Sequence, residues 1–382
     1  MVNTQRDKRA WMAATLTLGV LASAACQSEG GGPKPSTTQA KPSSNAPTLP
    51  TVMATPGYSA TPVPDPKAAD TPPSQIFNAG TNVFKVDVST APTHPNSAAM
   101  VQNLRNQITP HWGGIAAFNN DRYNPSYYVV DSMTPRVDLE FFNCQNKPGV
   151  PEGLMDGPAM FKQVPIPAGA IPAAGTDSTL TLYDPTTDQL WEFWVLRKQA
   201  KNPNKWEACW GGRIDNVSKS PGFFDSPYGA SASGLVTTGS MVTLKEAASG
   251  KIEHAMALNL IETGHHSRIW YPANRSDGNS SNPNAIPEGA RLRLDPSVNV
   301  DALQMTPLAK AIAKAAQKHG FIVVDTAHAV AVIAESGQAQ QAKTGKDPWG
   351  PILGGVPNYK QLEGFPWDKV QVIQQEYGKP GS

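Results

Sequence analysis

From about residue 76 to the C-terminus, apolar and β-branched residues fall in short runs broken by Pro, Gly, Asn and Asp. Runs of that length and texture, bounded by such breakers, predict strands. They cover residues 83–88, 127–130, 137–142, 180–183, 190–196, 252–261, 269–271, 291–294 and 321–324. Two stretches carry a helical period instead. One runs over Ser97–Ile108, after Asn96 as a capping residue. The other starts at Thr306 as cap and Pro307 at the first helical position, and stops at Gly320. In it Leu308, Ala311, Ile312, Ala315 and Ala316 share a face, with Lys310, Lys314, Gln317 and Lys318 opposite, so it should cover a sheet edge or face. Many short strands and few helices predict a mainly β fold. The expected form is a β-sandwich or jelly roll with one or two short covering helices, in a single domain over residues 76–382.

The first 75 residues read differently. Arg6, Lys8 and Arg9 precede an apolar stretch over residues 11–21 and the small residues Ala22 to Ala25. This is a secretory signal over residues 1–25, its apolar core too short for a membrane helix. Cys26 follows directly, as in a bacterial lipobox, although Ser23 stands where that motif usually has leucine. The expected outcome is cleavage and acylation of Cys26. The alternative is ordinary cleavage and a secreted product. Residues 27–75 hold 11 prolines among Ser, Thr, Ala and Gly. Such a segment cannot bury enough apolar surface to fold, and its prolines keep it extended. Residues 26–75 therefore predict a lipidated cysteine plus spacer, holding the domain on the outer side of a bacterial membrane that it meets only through the lipid.

Charge and cysteine usage narrow the function classes. With 32 basic and 31 acidic residues the net charge is +1. Removing residues 1–25 takes away three basic and one acidic residue, leaving 29 against 30, or −1. A nucleic-acid partner, which needs a basic surface, is not expected. Of three cysteines, Cys26 is assigned to lipid. Cys144 and Cys209 then form a disulfide in an oxidising compartment, or remain two buried thiols.

No Gly-x-Ser-x-Gly, phosphate loop, His-Glu-x-x-His or Cys-x-x-Cys occurs. No cofactor is expected. Candidate chemistry is therefore read from strand faces. A turn at Thr263-Gly264 would pair residues 252–261 with 266–271. Glu253, Asn259, His266, Arg268 and Trp270 would then share one face, an aromatic plate with polar donors and a carboxylate suited to sugar, or a solvated outer face. His254 lies on the other, apolar face, as a core histidine or a catalyst. The strand 190–196 places Glu192 among large apolar groups, where burial raises a carboxyl pKa toward that of a general acid. The alternative is a structural hydrogen-bonded carboxylate. Asp215, after what reads as a tight turn at Gly211-Gly212, could partner it. Adjacent His265 and His266 would point oppositely in a strand, so no metal site is expected from them. Asp225, Ser231 and Ser233 lie in a long Gly- and Ser-rich loop. Arg275, Asp277, Asn279 and Asn282 form a second polar rim, compatible with a hard cation but without a fixed loop spacing.

The segments LWEFW at 190–194, GKIEHA at 250–255, IWYPA at 269–273, PEGARLRL at 287–294 and HGFIVVD at 319–325 occur in that order. Over residues 164–335 this resembles a group of secreted bacterial β-rich proteins that carries no assigned activity. The resemblance implies a shared fold and favours Glu192, His254 and Arg291 or Arg293 as positions of consequence. The expected function is a surface-anchored, monomeric protein acting on or binding carbohydrate or cell-wall glycan. If it is an enzyme, it would be a glycoside hydrolase or polysaccharide lyase with Glu192 as acid and Asp215 as base or nucleophile. The alternatives are a lectin-like or wall-docking binding protein using Arg268 and Trp270, and a structural envelope protein.

Overall fold

The structure, a computed structural model, describes residues 72–154 and 160–381. The signal segment, Cys26 and the spacer up to residue 71 lie outside the described residues. The described residues are mainly β, with four sheets and short helices.

The largest sheet has six strands, in the order Ala117–Asn119, Ala331–Ile333, Met256–Leu260, Phe321–Thr326, Arg291–Leu294 and Val370–Val372. It is mixed. Met256–Leu260 runs parallel to Phe321–Thr326 and antiparallel to Ala331–Ile333. The two central strands read MALNL and FIVVDT, near-continuous apolar runs suited to burial on both faces. On one face Met256, Leu258, Leu260, Phe321 and Val323 pack against Met100 and Leu104 of one helix and Leu308 and Ile312 of another. On the other face Ala257, Ile322, Val324 and Ile333 meet Phe84, Phe224, Leu235 and, from a second sheet, Leu190. Sheet thus stacks on sheet, as the strand pattern predicts.

The helix Pro307–Lys318 forms as its sequence dictates. The Thr306 side chain accepts from Ala309 N at 3.0 Å, Pro307 opens the first turn, and Gly320 at φ 76° follows the end. Ala309 and Ala313 are buried as well, so the apolar face is wider than the sequence period suggested, and the small side chains let the helix lie close to the sheet. Asn96 does not cap Ser97–Ile108. Its Nδ2 donates to Asn284 Oδ1 at 2.7 Å instead.

The second sheet has the order Trp210–Asp215, Gln189–Trp194, Leu180–Asp184 and Ser126–Val129. Its outer face, with Leu180, Leu182, Trp191 and Phe193, is covered by Leu139, Phe161, Trp206 and Ala208. Gly211 and Gly212 lie within a strand rather than in a turn. A Cβ on Gly211 would meet Glu192 O at 2.6 Å, and one on Gly212 would meet Gly229 N at 2.8 Å, so these glycines allow close backbone approach. Cys144 and Cys209 are bonded, with Cα atoms 5.5 Å apart.

Two expected strands are absent. Residues 83–88 are irregular though Val83, Phe84 and Val88 are buried, and residues 269–271 form no strand. The hairpin around Thr263-Gly264 does not form. Met256–Leu260 already has a strand on each side, and residues 261–290 instead fold back as a knitted loop.

Candidate functional site

Because Met256–Leu260 and Phe321–Thr326 are parallel, their C-terminal ends lie side by side, the usual place for a site in a sheet with parallel strands. The loop that follows Leu260 is held over this end. Gly264 N donates to Ile286 O at 3.0 Å, His265 N to Ser280 O at 2.9 Å, and His266 N to Gly278 O at 2.7 Å. Arg268 Nη2 donates to Asn282 O at 2.8 Å. This fold-back brings Asp277 and Glu288 to Asp325, the fifth residue of its strand. One carboxylate oxygen from each lies within 4.8 Å of the others. Among the described residues no other three His, Cys, Asp or Glu side chains converge so closely.

The centre grades from solvent to interior: Asp277 is exposed, Asp325 half-buried and Glu288 0% exposed. Thr326 Oγ1 lies 2.8 Å from Asp277 Oδ1, 2.6 Å from Thr263 Oγ1 and 3.5 Å from Glu288 Oε1. Ala232 N donates to Asp325 Oδ2 at 3.3 Å. Burial, then the Asp277 carboxyl and the Asp325 charge, hold Glu288 well above the usual carboxylate range. Burial, then the Asp277 charge, pushes Asp325 up to about 7. Arg275 is close enough to feel Glu192, Asp325, Glu288 and Asp277, whose charges oppose the lowering that burial imposes on it. Its guanidinium donates to the carbonyls of Pro227, Gly229 and Ser231, tying down the loop that passes the centre. Such a set can exchange protons with a substrate or gather hard oxygen ligands around a cation.

Glu192 belongs to the wall of this centre, not to its mouth. It is 0% exposed and accepts from Ala230 N (3.0 Å), Thr237 N (2.8 Å), Thr237 Oγ1 (2.6 Å) and Thr181 Oγ1 (3.3 Å). Burial pushes its pKa up against these bonds. Ala230 bonds to Glu192 and Ala232 to Asp325, so the two carboxylates grip one short stretch of loop from opposite ends. Asp215 is not brought to Glu192. Glu192 is in register with Gly212, and Asp215 is three residues further on, so it faces the other side of the sheet about 10 Å along. It pairs there with Arg213 and Gln189 at the surface.

The sugar-binding face does not assemble. Trp270 is 8% exposed, packed in the main core with its ring 5.0 Å from that of His94. Arg268 is spent on loop carbonyls, and Glu253 pairs with Lys251 at the surface. Only Asn259, in register with Asp325, stands beside the acidic centre. His254 is buried, its Nδ1 2.9 Å from Ala255 O and its Nε2 3.3 Å from Glu246 Oε2, beside the capping box of Thr243 and Glu246. The His265 and His266 rings lie 3.9 Å apart, tilted by 35°, because their backbone is a loop and not a strand. Arg293 donates to the carbonyls of Val88 and Ser89, and Arg291 to that of Val83. Both arginines strap the segment before the first helix onto the sheet. Ser231 and Ser233 bond to each other, and Ser231 also to Leu235 O, within the loop held by Glu192.

Sequence reasoning noted Asp277 only as part of a polar rim and passed over Glu288 and Asp325. Their signal was an acid set directly against an apolar run, in PEGARLRL and FIVVD. Two surface cavities, of about 300 Å³ beside Trp349 and about 440 Å³ beside His94, include none of these acids in their linings. No family model, curated protein or solved structure matches the chain.

Proposed function

We propose that the protein is a membrane-tethered, extracytoplasmic protein that acts on carbohydrate, with Asp277, Glu288 and Asp325 as its working centre. The observation that carries this reading is the convergence of three carboxyl groups to within 4.8 Å at the end of a parallel strand pair. Carboxylates grouped at one solvent-reaching point suit a polyhydroxylated ligand, whose hydroxyl groups they accept from or whose glycosidic oxygen they protonate. Asp277 supplies the exposed member, and Glu288 and Asp325 supply groups held toward the protonated form. Arg275 and Glu192 are positioning residues that fix the loop beside them.

The export signal, Cys26 and the spacer support the location. Among the described residues no helix is long and apolar enough to cross a membrane. Metabolic labelling with a tagged fatty acid tests the anchor: label should be lost in Cys26→Ser, and label retained in that variant overturns it. The function is tested by screening the protein against polysaccharides and cell-wall glycans, for pull-down and for product release. Retention or cleavage of at least one glycan is expected. A chain that neither binds nor cleaves any of them overturns the carbohydrate reading.

A further inference from the structure

We propose that Asp277, Glu288 and Asp325 together bind one hard divalent cation, Ca²⁺ before Mg²⁺. The inference rests on the carbohydrate reading only in sharing its site, and it gives that site a cofactor that can be measured without any glycan.

The donors are all oxygen, the ligand type that Ca²⁺ and Mg²⁺ take and that thiol- or imidazole-seeking metals do not favour. Three carboxylates come from three places in the chain: the loop after Leu260, the segment before the Arg291 strand, and the end of the Phe321 strand. Acidic residues crowded together would not by themselves mean a site. Here a separate observation points inward. Glu288 is 0% exposed, and its Oε2 has no hydrogen-bond partner. A fully buried carboxylate oxygen without a donor is costly, and a cation is the partner that would satisfy it and its two acidic neighbours at once. On the adjoining strand, Asn259 stands in register with Asp325, and its buried Oδ1 also has no partner. The hydroxyl oxygen of Thr326, bonded to Asp277, is a further neutral oxygen at the same point.

Coordination demands favour Ca²⁺, which accepts irregular sets of protein oxygens at about 2.3–2.6 Å, whereas Mg²⁺ demands near-ideal octahedral geometry at about 2.0–2.1 Å and keeps several waters. Three carboxylates from separate points of the chain form such an irregular set. Arg275 does not occupy the place of the cation, because its Nη1 and Nη2 are committed to loop carbonyls. The exposed Asp277 gives the ion a route from solvent and leaves room for water or a sugar hydroxyl as the remaining ligands.

The test is calorimetric titration of CaCl₂, and separately MgCl₂, into purified full-length protein stripped with a chelator, with thermal unfolding alongside. One Ca²⁺ per chain is expected, with Kd of about 10⁻⁴–10⁻³ M or tighter, the range of extracellular sites. Asp277→Asn, at an exposed position, should fold normally and weaken Ca²⁺ binding by about 10-fold or more. Glu288→Gln is the second variant, checked first for folding. Asp215→Asn, a surface carboxylate elsewhere, should bind as the parent does. Absence of saturable Ca²⁺ binding up to millimolar concentration overturns the proposal, as does unchanged affinity in both Asp277→Asn and a folded Glu288→Gln. If chelator-treated protein binds no Ca²⁺ yet retains a glycan, the cation proposal falls and the carbohydrate reading stands.

Discussion

Glu192 separates a structural from a catalytic account most sharply. The carboxylate is 0% exposed and accepts four hydrogen bonds, two of them from the backbone N–H groups of Ala230 and Thr237. Replacing it with alanine leaves those two backbone donors unpaired, at about 1–3 kcal/mol each, and opens a cavity. The expected loss is roughly 3–5 kcal/mol. Glutamine is nearly isosteric and keeps one acceptor, but its amide nitrogen must face a donor. One bond is then lost, while the charge that was costly to bury disappears, and the net cost should be roughly 1–2 kcal/mol. Urea unfolding followed by tryptophan fluorescence reads the difference, since Trp191 and Trp194 flank the position. With an m-value of about 3 kcal/mol/M, the alanine midpoint should fall by about 1 M or more, and m itself should not change. If both variants unfold within about 0.5 kcal/mol of the parent while a detected hydrolysis is abolished, the brace reading is wrong and Glu192 is a catalytic acid.

Three further outcomes follow from the same structure. Reducing Cys144–Cys209, which closes a loop of 65 residues, should cost about 4 kcal/mol in the chain-entropy picture, read as a drop in denaturation midpoint with dithiothreitol; an unchanged midpoint contradicts this. Burial pushes the Glu335 carboxyl up to about 7, against the hydrogen bond from Leu244 N, so its contribution to stability is complete below about 4.5 and is lost as pH rises through 7. That range corresponds to roughly 3 kcal/mol. Glu335→Gln should flatten the fall in stability between pH 5 and 8, and parallel pH curves for parent and variant would refute the assignment. Trp270→Ala should lose about 3–5 kcal/mol because the indole is packed in the main core, whereas a surface sugar plate would tolerate the change with little loss of stability.

Local pattern carried the parts of the fold that local physics decides. The helix Pro307–Lys318 was legible because its cap, first-turn proline and terminal glycine are all adjacent in sequence. The strand pair Leu180–Asp184 and Gln189–Trp194 was legible from the Asp- and Thr-rich turn between them, where Asp184 Oδ1 accepts from Thr186 N at 3.0 Å. The disulfide followed from counting cysteines on the expectation of export. What pattern could not supply was strand order. Residues 252–271 look like a hairpin in isolation, but Met256–Leu260 pairs with Phe321–Thr326, more than sixty residues away, and its neighbour on the other side is Ala331–Ile333. That long-range pairing overrode the turn at Thr263-Gly264, buried Trp270 and brought Asp277, Glu288 and Asp325 together. Glu192 was correctly read as buried beside apolar neighbours. Its hydrogen-bond donors, Ala230 and Thr237, lie in a loop whose path no local period encodes.

The central claim is that the Asp277–Glu288–Asp325 centre is where the protein meets its ligand. The most direct measurement takes a glycan that the parent protein retains or cleaves and compares Asp277→Asn with Asp215→Asn for affinity and turnover. The account predicts a loss of about 10-fold or more in Asp277→Asn and parental values in Asp215→Asn, each variant folded by circular dichroism. Parental behaviour in Asp277→Asn would contradict it, and would do so most strongly if Asp215→Asn were the impaired variant.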